Sequence, residues 1–122
     1  FHDISTKEKE FGKIGSWFDR IVWNSVTKVT EHIPCKLYRI EDYLIHHKID
    51  SVSLCKIDVE GCEEKVVRGF GSKIDIVDEY IIEIENYRQT ALENIVKFLK
   101  NYDIEIENQD KPWCILRAKK RN

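Results

Sequence analysis

The chain has 122 residues, 42% apolar and 34% charged, with a net charge of -2. That bounds these residues to one globular, soluble domain at most, with one modest core. Basic residues are spread out except for a terminal cluster, Arg117 to Arg121, no apolar run approaches a membrane span and no signal peptide is visible, which argues against nucleic-acid and membrane roles.

Phe1 to Thr30 is hard to assign. Ser16 to Val26 carries Trp17, Phe18, Ile21, Val22 and Trp23, a pattern that suits a strand or an aromatic loop over a cleft, with core packing the simpler reading. Pro34 opens a short strand predicted over Cys35 to Ile40, where the missing donor costs no ladder bond. A helix is predicted over Arg39 to His47. Ile40, Tyr43 and Leu44 share its face, and Glu41 and Asp42 sit in the first turn, where the helix dipole favours anions. His46 and His47 are adjacent and so point about 100° apart on a helix; they read as exposed residues or as cations near the helix C-terminus.

Ser51 to Val59 is the central strand. It starts apolar and ends with Lys56, Asp58 and Glu60 alternating with Ile57 and Val59, which places all three charges on one face of the strand. Open α/β sheets bind ligands in the crevice beyond the carboxyl ends of their strands. Asp58 and Glu60 are therefore the floor of a candidate site. The plainer alternative is that Lys56 and Glu60 solvate an exposed edge. Gly61 ends the run, and a helix follows over Cys62 to Gly69, with Cys62, Val66 and Phe70 at helical spacing, Glu64 and Arg68 as an i, i+4 pair, and Gly69 and Gly71 as its stop.

Glu79 to Glu85 is the second clear strand, with Ile81, Ile82 and Ile84 inside and Glu83, Glu85 and Asn86 at its end. Thr90 to Asn101 is the best helix. Thr90 and Glu93 make a capping box, and Leu92, Ile95, Val96 and Leu99 form the apolar stripe. Tyr102 to Asn108 alternates as a half-exposed strand, Gln109 to Pro112 is turn-like, and Trp113 to Ala118 is the last strand. So short a connection makes the last two strands antiparallel neighbours. The pattern implies an α/β fold with a mostly parallel sheet, helices on both faces and a C-terminal antiparallel hairpin, the first crossover being right-handed. Asp58 and Glu60 would then face Glu85 and Asn86 across an acidic pocket. The cysteines, Cys35, Cys55, Cys62 and Cys114, fit no zinc module. Cys55 and Cys114 read as packed, reduced thiols of a cytoplasmic protein.

The text Leu54-Cys55-Lys56-Ile57-Asp58-Val59-Glu60-Gly61-Cys62-Glu63, followed by Val67-Arg68-Gly69, resembles the Leu-Lys-Ile-Asp-Val-Glu-Gly-Ala-Glu motif and its Arg/Lys-Gly step in the FkbM-type methyltransferases. Cys55 and Cys62 are mild departures. Arg39 to Leu44 with Ile49-Asp50, the strand Ile82-Glu83-Ile84-Glu85, and Tyr102 before the hairpin match the family's layout, so the resemblance covers Cys35 to Ala118. It implies a partial Rossmann-like methyltransferase fold: residues 1–122 are the C-terminal half of such a domain, with Ser51 to Val59 as its fourth strand and Glu79 to Glu85 as its fifth. It also implies S-adenosylmethionine as cofactor and methylation of a hydroxyl on a sugar or another small metabolite. The glycine-rich turn and the ribose-binding acid that hold the cofactor are missing; Gly12 and Gly15 are too far apart and follow no strand. This chain is expected to bind the cofactor weakly or not at all and to be inactive alone. A start at Phe1, with no methionine in the sequence, suits a piece of a longer protein better than a degenerate remnant.

On that resemblance Asp58 is the general base or the orienter of the acceptor hydroxyl. Glu60 holds Asp58, bonds donors of the turn or contacts the acceptor, and Lys56 keeps both carboxylates ionised. Equally, Glu60 caps the turn into the next helix. A variant places magnesium on Asp58, Glu85 and Asn86. Two other classes compete. One is a metal-dependent hydrolase or nuclease using Asp58, Glu60, Glu83 and Glu85, against which the absence of a Glu-x-Lys strand weighs. The other is a non-catalytic interaction module derived from a methyltransferase, offering an open sheet edge to a partner.

Overall fold

The computed structural model describes residues 31–122. Leu37–Asn122 forms one compact unit, and all the described helices and strands belong to it. The aromatic stretch Ser16 to Val26, with Gly12 and Gly15, lies outside the described residues. In chain order the elements are α1 (Ile40–His46), β1 (Val52–Ile57), α2 (Glu63–Gly69), a 3-10 helix (Gly71–Ile76), β2 (Val77–Glu85), α3 (Gln89–Phe98), β3 (Tyr102–Glu107) and β4 (Trp113–Lys120). No strand forms over Cys35 to Ile40: residues 31–39 carry no regular structure. Leu37 and Tyr38 are exposed, and with no neighbouring strand to pair with, apolar alternation alone does not make a strand.

The four strands stand in the order β1-β2-β4-β3. β1 and β2 pair in parallel, while β4 pairs antiparallel with both β2 and β3. The α/β class holds, but the sheet is mixed and mostly antiparallel rather than mostly parallel. The cause is an insertion. The helical crossover through α3 returns β3 in the same direction as β2, as a β-α-β unit should. The short return from β3 then puts β4 between them, so one strand takes two antiparallel partners.

Alternate residues of the sheet are buried: Tyr80, Ile82 and Ile84 on β2 lie level with Ala118, Leu116 and Cys114 on β4. Leu44 of α1, Val67 of α2, and Ile95 and Leu99 from α3 and its end join the same cluster. Among the described residues the helices therefore cover one face, and not both. Both α crossovers step across the sheet in one direction, which keeps them on one side when each has the usual hand. Each fully buried aliphatic side chain contributes about 1.5–3 kcal/mol. The opposite face carries Leu54 and Trp113, both about half exposed, among charged residues.

The amino end of β2 is closed by aromatic residues. Phe70 packs edge-on against Tyr80, and Tyr80 against Tyr102, each with ring centres 5.4 Å apart. The Tyr80 and Tyr102 hydroxyls both donate to the Ile74 carbonyl at 2.8 Å, and Tyr102 also donates to the Val77 carbonyl. At the outer corner the Glu41 carboxylate accepts from the Ser72 amide at 3.0 Å and the Ser72 hydroxyl at 2.6 Å. Tyr43, expected to share the buried face of α1, is mostly exposed and instead stacks at 4.2 Å on His47.

The start of one helix moved. α3 starts at Gln89 with Arg88 in the cap position and no side-chain cap. The turn in which the Arg88 amide donates to the Glu85 carbonyl starts the helix early, so Thr90 lies inside it and forms no capping box. The pair Glu64–Arg68 forms as expected, at 2.9 Å, and Asn94 of α3 donates to the same carboxylate.

Candidate functional site

The candidate site is the turn between β1 and α2. β1 ends at Ile57, opposite Ile82, so Asp58, Val59 and Glu60 lie beyond the strand and not on its face. Ile57 is buried and anchors the turn in the core. Glu60 then takes φ 53° and Gly61 φ 99°. Two successive left-handed residues are unusual; a non-glycine residue there costs about 1–3 kcal/mol, and such conformations concentrate at functional sites. This reversal ends the alternation that would have aligned Lys56, Asp58 and Glu60. Lys56 and Asp58 still meet, at 3.9 Å with both side chains well exposed, where an ion pair contributes little. Glu60 is exposed.

The carboxylate that holds the turn is Glu63, a residue the sequence reading quoted but gave no role. It is 2% exposed. One of its oxygens accepts from the Gly61 amide at 2.9 Å and, more weakly, from the Val59 amide at 3.4 Å. Buried carboxylates need such partners. The turn-bonding role proposed for Glu60 thus belongs to Glu63. Its signal was visible in retrospect: it is the acid two residues after the turn glycine, at the first position of α2.

Arg88 is the second residue that sequence reasoning missed. Its guanidinium donates to the Gly61 carbonyl at 3.3 Å and pairs with Glu85 at 2.9 Å; it also lies 5.4 Å above the Tyr87 ring. A Cβ on Gly61 would meet an Arg88 nitrogen at 2.6 Å. Gly61 is therefore favoured by its backbone angle, and any side chain there would push the Arg88 guanidinium aside. The i, i+3 spacing of Glu85 and Arg88 was the available clue.

The acidic pocket expected between the two strand ends does not assemble as predicted. Glu85 is engaged by Arg88. The Asn86 side-chain amide donates to the carbonyls of Asn108, Gln109 and Lys111, and its backbone amide to that of Pro112, so Asn86 ties β2 to the β3–β4 turn. Among the described residues no group of three or more His, Cys, Asp or Glu side chains gathers as a metal site. The magnesium arrangement of Asp58, Glu85 and Asn86 does not fit this geometry, and the hydrolase reading on Asp58, Glu60, Glu83 and Glu85 gains no metal centre from it. All four cysteines are free; burial pushes the Cys55 and Cys114 thiols up.

A match to the family model of the methyltransferase FkbM domain spans residues 4–106. The chain belongs to the FkbM methyltransferase family. The match starts well before Cys35, where the quoted motifs begin, and stops within β3. No curated protein and no solved structure matches the chain.

A methyltransferase domain of this family implies a sulfonium cofactor, which needs a cradle. β1 is followed by a turn with one glycine, and Arg88 fills the space that glycine leaves open. No glycine-rich turn after a strand occurs among the described residues. They do not form a cofactor cradle by themselves. What they do present is one carboxylate, Asp58, partly exposed on a turn braced from both sides. Among the described residues no helix is long and apolar enough to cross a membrane.

Proposed function

We propose that this chain is the acceptor-side, C-terminal half of a methyltransferase domain that uses S-adenosylmethionine and methylates a hydroxyl on a sugar or another small metabolite in the cytoplasm. The observation that carries the reading is the family match running through the Asp58–Gly61 turn at the carboxyl end of a parallel strand. The cofactor, when bound, supplies an electrophilic methyl group.

Asp58 accepts the hydrogen bond of an acceptor hydroxyl and takes its proton as the oxygen becomes a nucleophile. Its ion pair with the exposed Lys56 is long, at 3.9 Å, which leaves an oxygen for substrate, as a base needs. Lys56, next to the end of β1, supplies positive charge beside it. Glu60, exposed on the strained residue of the turn, contacts the acceptor. The side-chain inventory is acidic, which favours a neutral polyol over an anionic acceptor.

Isothermal calorimetry with S-adenosylmethionine tests the reading, on this chain and on the polypeptide extended at its N-terminus along its natural reading frame. Binding by the extended form and little or none by this chain is the expected result. In the extended form Asp58→Asn should then lower methyl transfer by about 10²–10⁴ while changing stability by no more than about 0.5 kcal/mol, as surface substitutions do. No binding by either form would remove the enzyme reading. The interaction module would then stand in front, supported by β1 being an edge strand of the described sheet.

A further inference from the structure

We propose that Arg88 is a positioning residue of this site: it clamps the Asp58–Gly61 turn to the carboxyl end of β2, and so sets where Asp58 stands. The inference rests on the proposed role of Asp58, but the clamp itself is a claim about geometry. Three observations carry it. The guanidinium reaches across from the start of α3 to the Gly61 carbonyl and, on its other side, to the Glu85 carboxylate. Both of those side chains are only about a quarter exposed, so the pair is shielded from solvent more than a surface ion pair is. The turn it grips is the one place among the described residues where two left-handed residues follow each other, and the guanidinium lies where a Cβ on Gly61 would stand.

Two opposite charges thus hold one residue, Gly61, through the peptide units on its two sides. Glu63 takes the amide of Gly61 and Arg88 gives to its carbonyl. The Glu63 contact is local, two residues along the chain, and cannot relate the turn to the rest of the sheet. The Arg88 contact spans 27 residues. It is the link that fixes the turn of β1 relative to the end of β2, where an acceptor lying across the two strand ends would sit. The guanidinium donates through Nη1 to the Gly61 carbonyl while its Nε forms an ion pair, without hydrogen-bond geometry, with Glu85, and the compact ammonium of a lysine does not span both partners in that way.

Amide hydrogen exchange followed by NMR tests this on the chain itself, without cofactor or acceptor. Arg88→Ala should raise exchange at Val59 and Gly61 at least tenfold while Ile82 and Ile84 keep their protection. Arg88→Lys should lie closer to the alanine variant than to the parent. Glu85→Gln, which leaves the arginine in place, should raise exchange at the same two amides two- to fivefold, and serves if Arg88→Ala does not fold. Unchanged exchange at Val59 and Gly61 in these variants would overturn the proposal. So would a rise shared equally by Ile82 and Ile84, which would make Arg88 a residue of the fold at large, and so would full rescue by lysine, which would make it a mere counter-charge. These outcomes are read independently of S-adenosylmethionine binding, so failure of the clamp and failure of the methyltransferase reading are separate results.

Discussion

At the amino end of β2 two phenols converge on the Ile74 carbonyl inside a ring of aromatic contacts, whereas at its carboxyl end Arg88, Glu85 and Glu63 hold a turn that carries two left-handed residues. The first region is buried, and the groups that bond there are uncharged phenols and carbonyls. Its hydrogen bonds satisfy backbone groups that burial would otherwise orphan, and its rings add packing area. The second is charged and half exposed, and it contains strain. Interactions of the first kind stabilise a fold; those of the second hold a group in place at a cost, which is the pattern expected where structure serves chemistry. If the contrast is real, substitutions at the two ends should separate stability from activity.

The largest effect on stability should come from the neutral end. Tyr102→Ala removes a ring that is 2% exposed together with a donor to two carbonyls, and should cost about 3–5 kcal/mol, as large aromatic truncations do. Tyr102→Phe keeps the ring and should cost about 1–3 kcal/mol, the penalty of leaving a buried acceptor without its donor. Urea midpoints measure both. If the phenylalanine variant matched the parent, the hydroxyl network would be ornament and the contrast would weaken.

Next in size is Gly61→Ala at the charged end. A φ of 99° strains any side chain, and the new Cβ would displace Arg88. A loss of about 1–3 kcal/mol is expected, with Tm falling by about 4–8 °C per kcal/mol for a domain of this size. Adding Arg88→Ala should recover part of the loss, because the clash disappears and only the backbone strain remains. Strict additivity in that double variant would show that the arginine is not what excludes a side chain from the turn.

How much of this was legible in the sequence follows the same division. Elements set by local period were visible: the β1–α2 and α3–β3 alternations and the hairpin after Glu107 lie close to where their patterns put them. The turn glycine and its neighbour Asp58 were visible through the motif. The mixed order β1-β2-β4-β3 was not, because adjacency in a sheet depends on which edge a returning strand joins, and no period encodes that. Extending the strand alternation to Glu60 failed because the backbone reverses there, a change that only Gly61 hinted at. Glu63 and Arg88 were missed for one reason: each bonds backbone groups of the turn, and a peptide carbonyl or amide offers no complementary side chain that would reveal the contact.

A smaller effect separates the ends by pH. Burial, with the Asp75 and Asp78 carboxylates, pushes Tyr102 up to about 12 from its ordinary 10, and burial foremost pushes Tyr80 up as well. Raised values mean that the folded state keeps protons that the unfolded chain releases. Their share of stability is therefore complete below pH 10 and is lost as pH rises from there towards about 12 for Tyr102. Urea midpoints should fall across that window, and Tyr102→Phe should start lower but fall less steeply. Parallel curves would show that the phenols do not titrate with unfolding.

The smallest expected effect lies on the acid side, at the corner that joins α1 to the 3-10 helix. The Ser72 hydroxyl first, then the Ser72 amide, with Arg39 and Lys73 adding charge, hold the Glu41 carboxyl below its ordinary 4.5. A depressed value gives the opposite sign from the tyrosines. The contribution is present above pH 4.5 and is lost as pH falls through the lower folded value. Glu41→Gln should therefore lower the urea midpoint slightly at pH 7 and flatten the decline below pH 4.5. It should leave exchange at Val59 and Gly61 untouched, because the corner shares no bond with the Asp58 turn. A change at those two amides would mean that α1 and the turn move as one piece, and the division between a structural frame and a separately braced site would have to be redrawn to include Glu41.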